Sequence, residues 1–370
     1  MSSKSIGTIT YDITTSCNLR CKHCYNTEYL STNKPVEINI SETIDAFSKI
    51  SFQNILIQGG EPLMVSNLEQ LINQFSRKNI NVFLTTNATL LDVSRSIQLI
   101  QSGLKGIFFS VESASEEIND AIRGKGTFQT FYKNVKNFMN IYLALREKKI
   151  IPPIQLALSC TTSSINFGTE SNIRNMFNFA HELGMSNITF NFLVNHGACK
   201  NLTFNKDTTN FKIANKIVQI SKEFPDICVR LPMKQIEHDF FKKRYGIDIN
   251  ICGAKGSCPA GDKVAYVDAN LNMYPCIWPS HNVLNRTSIN DVISLKSAIS
   301  STVFTSFLKR KQTYIEIFQE CKTCKYNKNC IPVCPYQDEF EIINCTGQPC
   351  PTRMEIKEIY NEQNTNSDAH

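Results

Sequence analysis

Cys17, Cys21 and Cys24 stand four and three residues apart in the run Cys17-Asn18-Leu19-Arg20-Cys21-Lys22-His23-Cys24-Tyr25. Three thiolates this close can curl around one iron–sulfur cube and ligate three of its four irons. No fourth cysteine lies near them in the sequence, the next being Cys160. A four-ligand site is closed and suits electron transfer or a structural metal, whereas three ligands leave one metal position open. An open iron is a Lewis acid that can take a small molecule. A three-cysteine zinc or structural site is the alternative reading of this stretch alone.

A second concentration of thiols comes late: Cys252, Cys258, Cys276, Cys321, Cys324, Cys330, Cys334, Cys345 and Cys350. The chain has 15 cysteines, no apolar run long enough to span a membrane, and no basic-then-apolar start over Met1–Ile6. That combination predicts a cytoplasmic protein whose cysteines hold metal in a reducing compartment rather than form disulfides. The formal charge of +6 counts every cysteine as neutral. Three thiolate-bound cubes would contribute about −5 and leave the holoprotein near +1. The clusters Lys242-Lys243-Arg244 and Lys309-Arg310-Lys311 are then short solvated patches, which argues against a nucleic-acid partner.

The elements that must position the triplet alternate strand and helix. Strands are predicted over Thr8–Ile13, Asn54–Gln58, Asn81–Thr85, Gly106–Val111, Ile154–Cys160 and Asn187–Leu193. Helices are predicted over Ser41–Ile50, Leu68–Lys78, Val93–Ser102, Phe128–Glu147 and Ser171–Leu183, with a further one over Lys206–Phe224. Six β-then-α units give an α/β fold with a parallel sheet, too few for a closed eight-stranded barrel, hence a partial (β/α)6 barrel. The chemistry belongs at the carboxyl ends of its strands, and the triplet follows the first of them. The expected division is 1–205 barrel, 206–251 bridging helical region, 252–352 cysteine-rich domain and 353–370 C-terminal helix and tail.

The triplet, with His23 before its last cysteine, resembles the radical S-adenosylmethionine superfamily. The resemblance implies an open [4Fe-4S] cluster on Cys17, Cys21 and Cys24 whose free iron chelates S-adenosylmethionine. It also implies reductive cleavage of that cofactor to a 5′-deoxyadenosyl radical. Gly59-Gly60-Glu61-Pro62, which alone reads equally well as a turn, looks like the family motif that holds the methionyl amino group. Thr85-Thr86-Asn87-Ala88-Thr89 resembles Thr-Asn-Gly-Thr, with Ala88 in place of the glycine. Ser110-Val111-Glu112-Ser113 stands where many relatives have Ser-x-Asp-Gly, and Glu112 is one methylene longer than the usual aspartate. By resemblance Ser110 meets the ribose or carboxylate of the cofactor, Arg123 pairs with its carboxylate, and Leu193 seats the adenine. His23, Gly59, Gly60, Glu61 and Asn87 complete that cofactor-binding set.

Cys321-x2-Cys324-x5-Cys330-x3-Cys334 is similar to the SPASM extension of these enzymes, which implies two auxiliary [4Fe-4S] clusters and three in all. In that reading Cys252, Cys258, Cys276 and Cys334 hold the first. Cys321, Cys324, Cys330 and Cys350 hold the second, with Cys345 as the alternative to Cys350. A zinc ribbon is the competing reading of the same spacing. Ala265–Asp268 and Asn272–Cys276 should form a hairpin with an altered turn, because Leu271 replaces a glycine.

The resemblance implies a maturase acting on a ribosomally made precursor peptide, fed by a flavodoxin- or ferredoxin-type electron donor. Oxidative side-chain cross-linking of the cyclophane or thioether type is favoured. The alternatives are epimerisation, a sulfatase-maturase-like reaction, and a small-molecule or RNA substrate. Sulfatase maturases carry an aspartate base after the cysteine at the Cys276 position, and Ile277 cannot take a proton. Trp278, the only tryptophan, either lines the substrate path or packs beside a cluster. Epimerisation needs a hydrogen-atom donor, for which the unassigned Cys160, Cys199, Cys228 and Cys345 are the candidates. With the triplet beginning at residue 17, a leader peptide is expected to dock on the barrel's strand edge or the bridging region.

Overall fold

The computed structural model describes residues 6–193, 197–201, 209–246, 250–251, 258–277, 287–289, 297, 300–314, 319–327, 330, 350 and 352–359. Cys252, Trp278, Cys334 and Cys345 lie outside the described residues.

Six parallel strands run in sequence order: β1 (Thr8–Asp12), β2 (Asn54–Gln58), β3 (Asn81–Thr86), β4 (Gly106–Ser110), β5 (Gln155–Thr162) and β6 (Asn187–Phe192). Each agrees with its expected strand to within two residues at either end. The connecting helices are α1 (Ile40–Ser48), α2 (Leu68–Arg77), α3 (Val93–Gln101), α4 (Glu116–Arg123), α5 (Thr127–Glu147), the single turn α6 (Ser164–Phe167) and α7 (Glu170–Glu182). Of these, α4 and α6 have no counterpart among the predicted helices. The six strands and their crossovers make the parallel sheet of a partial barrel.

The sheet is longer than six strands. The stretch expected as a helical bridge carries α8 (Asn210–Ser221), β7 (Cys228–Leu231), α9 (Gln235–Tyr245) and β8 (Asn250–Ile251). Here β7 and β8 extend the parallel sheet beyond β6. On the other edge β9 (Val264–Val267) lies parallel to β1, followed by antiparallel β10 (Asn272–Tyr274) and β11 (Thr287–Ser288). The expected hairpin is present, and Leu271 at its turn has φ 61. Farther on are α10 (Thr302–Tyr314) and a helix over 352–359.

Alternation along the strands explains where the core and the cavity lie. In β2, Ile55 and Ile57 are fully buried, whereas Leu56 and Gln58 line the barrel interior. Helices close the outer face through stripes such as Leu68, Leu71, Ile72 and Phe75 on α2, and Ile173, Met176, Phe177 and Ala180 on α7. Both stripes recur at three- and four-residue steps, the period of one helix face.

Candidate active site

The loop after β1 carries the three thiols, and the turn after β2 holds that loop in place. Gly60 N donates to Thr14 O at 2.8 Å, and Glu61 N donates to Ser16 O at 2.8 Å. A Cβ on Gly60 would stand 2.1 Å from Ser16 O and 3.1 Å from Cys17 Cβ. One on Gly59, whose φ is +138°, would stand 2.6 Å from Thr14 O. The glycines are therefore required by the backbone that presents Cys17.

Glu61 is 1% exposed and ties β2 to β3. Its Oε1 accepts from Thr86 Oγ1 at 2.6 Å and Leu63 N at 3.0 Å, and its Oε2 accepts from Asn87 N at 2.8 Å. Burial raises its pKa, against the hydrogen bonds that lower it. Asn87 Nδ2 in turn donates to Asn18 Oδ1 at 3.0 Å, inside the cysteine run. Ala88 keeps the left-handed backbone, φ 57, that a glycine would favour there.

A second knot lies at the end of β4. Glu112, also 1% exposed, meets Arg123 Nη2 at 2.5 Å and His23 Nε2 at 3.1 Å, and accepts from Thr161 N at 2.7 Å. Burial alone would raise its carboxyl, but the charges of His23 and Arg123 outweigh it and bring the pKa down to about 2. Glu112 thus joins the triplet loop, α4 and β5, and the Arg123 carbonyl oxygen lies 3.9 Å from Cys21 Sγ. His23 Nδ1 is buried with no hydrogen-bond partner among the described residues.

These elements enclose one cavity of about 680 Å³ at the carboxyl ends of the strands. Cys17, Cys21 and Cys24 line it, and so do all eight residues expected to bind the cofactor: His23, Gly59, Gly60, Glu61, Asn87, Ser110, Arg123 and Leu193. Cys258 and Cys276 line the same space from the C-terminal region. Burial pushes the Cys17 thiol up to about 12, so its thiolate needs a metal's charge for company. Among the described residues no three His, Cys, Asp or Glu side chains close on a single metal ion. An all-thiol set around open space fits a polynuclear cluster better than a zinc ion.

Sequence distance concealed one thiol. A short 3-10 turn over Gly197–Asn201 packs on the triplet, with Ala198 N donating to Cys24 O at 3.0 Å. It brings Cys199, 1% exposed, into the cavity wall, with Sγ donating to His23 O at 2.9 Å. A fourth cysteine therefore does lie beside the triplet in space. Cys160 is fully buried in β5, and Cys228 opens β7.

Asp12 went unremarked in the sequence. Buried at the end of β1, it accepts from Asn26 Nδ2 at 2.9 Å, Gln58 Nε2 at 2.9 Å and Tyr266 Oη at 2.8 Å. It binds the C-terminal hairpin to the barrel. A polar residue closing a strand was its only signal.

A smaller cavity in the C-terminal region is lined by Cys321, Cys324, Cys330 and Cys350 together. Burial pushes Cys330 up to about 11. Arg353 Nη2 donates to Cys324 Sγ at 3.2 Å, and Cys350 N donates to Glu320 Oε2 at 3.1 Å.

One buried and two half-buried thiols, with supporting carboxylates, stand at the mouth of a parallel partial barrel, an arrangement that suits an open cluster. Residues 11–144 match the model of the Radical SAM superfamily, and the chain carries a radical SAM domain. It is 30% identical over 132 residues to the AdoMet-dependent heme synthase of Oleidesulfovibrio alaskensis, covering 35% of this chain and 34% of that protein. It is 27% identical over 135 residues to the mycofactocin maturase MftC of Mycolicibacterium smegmatis, covering 36% and 34%. The matched segment thus spans about a third of the length of these curated relatives.

Similarity of fold reaches farther. The crystal structure of Streptococcus suis SuiB bound to its precursor peptide SuiA superposes with a TM-score of 0.69 at 15% identity, over 90% of this chain and 72% of that one. The structure of anSMEcpe with bound AdoMet and a Cp18Cys peptide gives 0.62 at 18% identity, over 98% of both chains. No described helix is long and apolar enough to cross a membrane.

Proposed function

We propose that this chain is a radical S-adenosylmethionine maturase that modifies a precursor peptide by oxidative cross-linking of side chains. The observation that carries the reading is the single cavity shared by the Cys17–Cys21–Cys24 set, the eight cofactor candidates, and the Cys258–Cys276 pair. Likeness in fold over 90% and 98% of the chain to two proteins solved with peptides supports a peptide substrate. The sequence matches alone, to a heme synthase and a peptide maturase alike, do not choose between substrates.

Cys17, Cys21 and Cys24 would hold the open cluster. When bound, cluster and S-adenosylmethionine supply a hydrogen-abstracting radical. The chain's own part is positioning. Glu61 and Asn87 fix the ends of β2 and β3 against the cysteine loop, and Glu112 fixes Arg123 and His23 on the opposite wall.

Cys258 and Cys276, with Cys252 and Cys334, would hold one auxiliary cluster, and Cys321, Cys324, Cys330 and Cys350 the other. Closed clusters suit electron transfer, here removal of an electron from the substrate after the new bond forms. A flavodoxin- or ferredoxin-type protein would deliver the starting electron. The product's mass tests the reaction. Cross-linking predicts loss of two hydrogens from the peptide, whereas an unchanged mass with one solvent deuterium at an α-carbon would establish epimerisation and overturn the reading.

A further inference from the structure

Resting on that reading, we infer that the barrel interior holds a carboxylate-binding subsite for the substrate, built from Arg230, Thr189 and Ser159. These residues form a row across three adjacent strands. Ser159 on β5 is in register with Thr189 on β6, and Thr189 with Arg230 on β7. In-register residues of parallel neighbours share a face, and all three line the large cavity.

Charge accounting singles out Arg230. Among the described residues two arginines line the cavity. Arg123 is neutralised by Glu112 at 2.5 Å. The carboxylate in the wall, Glu61, is committed to Thr86, Asn87 and Leu63. Among the described residues Arg230 has no carboxylate partner. Its acceptor is a neutral amide: with Gln155 oriented oxygen-inward, that oxygen accepts from Arg230 Nη2 at 2.5 Å and Nη1 at 3.1 Å. A half-buried guanidinium without a counter-ion is costly, and a substrate carboxylate removes the cost while making charge-assisted bonds.

Thr189 supplies an independent sign of a ligand. It is 9% exposed, and its Oγ1 is buried with no hydrogen-bond partner among the described residues. A buried hydroxyl left unpaired is destabilising unless something completes it. Next to it Ser159 Oγ accepts from Asn191 Nδ2 at 3.1 Å, which leaves the Ser159 proton for an acceptor in the cavity. Hydroxyl, hydroxyl and guanidinium in one row make a donor set for an anion. The anion is a carboxylate of the peptide, from an acidic side chain or from its C-terminus.

Anaerobic equilibrium dialysis of the reconstituted holoprotein tests this without turnover. The probes are labelled acetyl-Ala-Glu-Ala-amide, its glutamine counterpart, and acetyl-Ala-Ala-Ala with a free C-terminal acid. An acidic probe should bind about ten-fold more tightly than the glutamine probe. Preference for the glutamate or for the free-acid peptide tells which carboxylate the site takes. Arg230→Gln should erase the discrimination, Arg230→Lys should retain part of it, and Thr189→Val should weaken it. Affinity for S-adenosylmethionine should be unchanged in all three. Equal binding of acidic and amide probes, discrimination that survives Arg230→Gln, or a parallel fall in S-adenosylmethionine affinity would each overturn the subsite. A failed product assay with intact discrimination would count against the maturase reading alone.

Discussion

Glu112 holds a buried carboxylate between Arg123 and His23, and its low pKa is a statement about stability. Its value falls from 4.5 to about 2 on folding. A carboxyl depressed in the folded state contributes stability above about pH 4.5 and loses it as the pH falls through 2. The shift corresponds to about 3 kcal/mol at neutral pH. Glu112→Gln should therefore lower the stability of the cluster-free protein by that order at pH 7. In denaturant titrations the gap from the parent should narrow as the pH approaches 3. The sequence marked Glu112 as longer than the family's aspartate. It did not disclose that the extra methylene places one oxygen within reach of both Arg123 and His23, because that depends on three elements meeting.

The turns after β2 and β3 are where element geometry meets chemistry. Gly60→Ala sets a methyl against Ser16 O and Cys17 Cβ, a clash with backbone that no side-chain rotation relieves. It should cost more than about 2 kcal/mol and reduce iron at the first site, read by metal analysis and thermal unfolding. Ala88 already tolerates φ 57. For Ala88→Gly, relief of about 1–2 kcal/mol of backbone strain is offset by chain entropy and the lost methyl. Stability should then change by less than about 1 kcal/mol, whereas a β-branched valine there should be clearly destabilising. The six barrel strands were legible because apolar runs alternate with amphipathic helices. By contrast β7 and β8 are four and two residues long, too short to register as a period. Cys199 was a candidate hydrogen-atom donor, but its place beside the triplet was hidden for another reason: it reaches the triplet through a tertiary contact of the 3-10 turn, and spacing along the chain carries no trace of it.

At the scale of the whole molecule, ten of the twelve described cysteines line two cavities, with Cys160 and Cys228 outside both. The strand β9, beside β1, brings Tyr266 onto Asp12 and so fastens the cysteine-rich region to the barrel. Reconstituted protein should carry about twelve irons per chain, and changing Cys17, Cys21 and Cys24 together to alanine should remove about four. Stoichiometric zinc with iron near four would contradict the auxiliary-cluster assignment. The central claim is that Cys17, Cys21 and Cys24 bind the cluster at which S-adenosylmethionine is reduced. The direct measurement is 5′-deoxyadenosine released under anaerobic reduction by the iron-loaded parent protein and by Cys21→Ala. The parent should release it, and Cys21→Ala should release none above background, even with the later cysteines still loaded. Undiminished release by Cys21→Ala, or none from a fully loaded parent, would contradict the account.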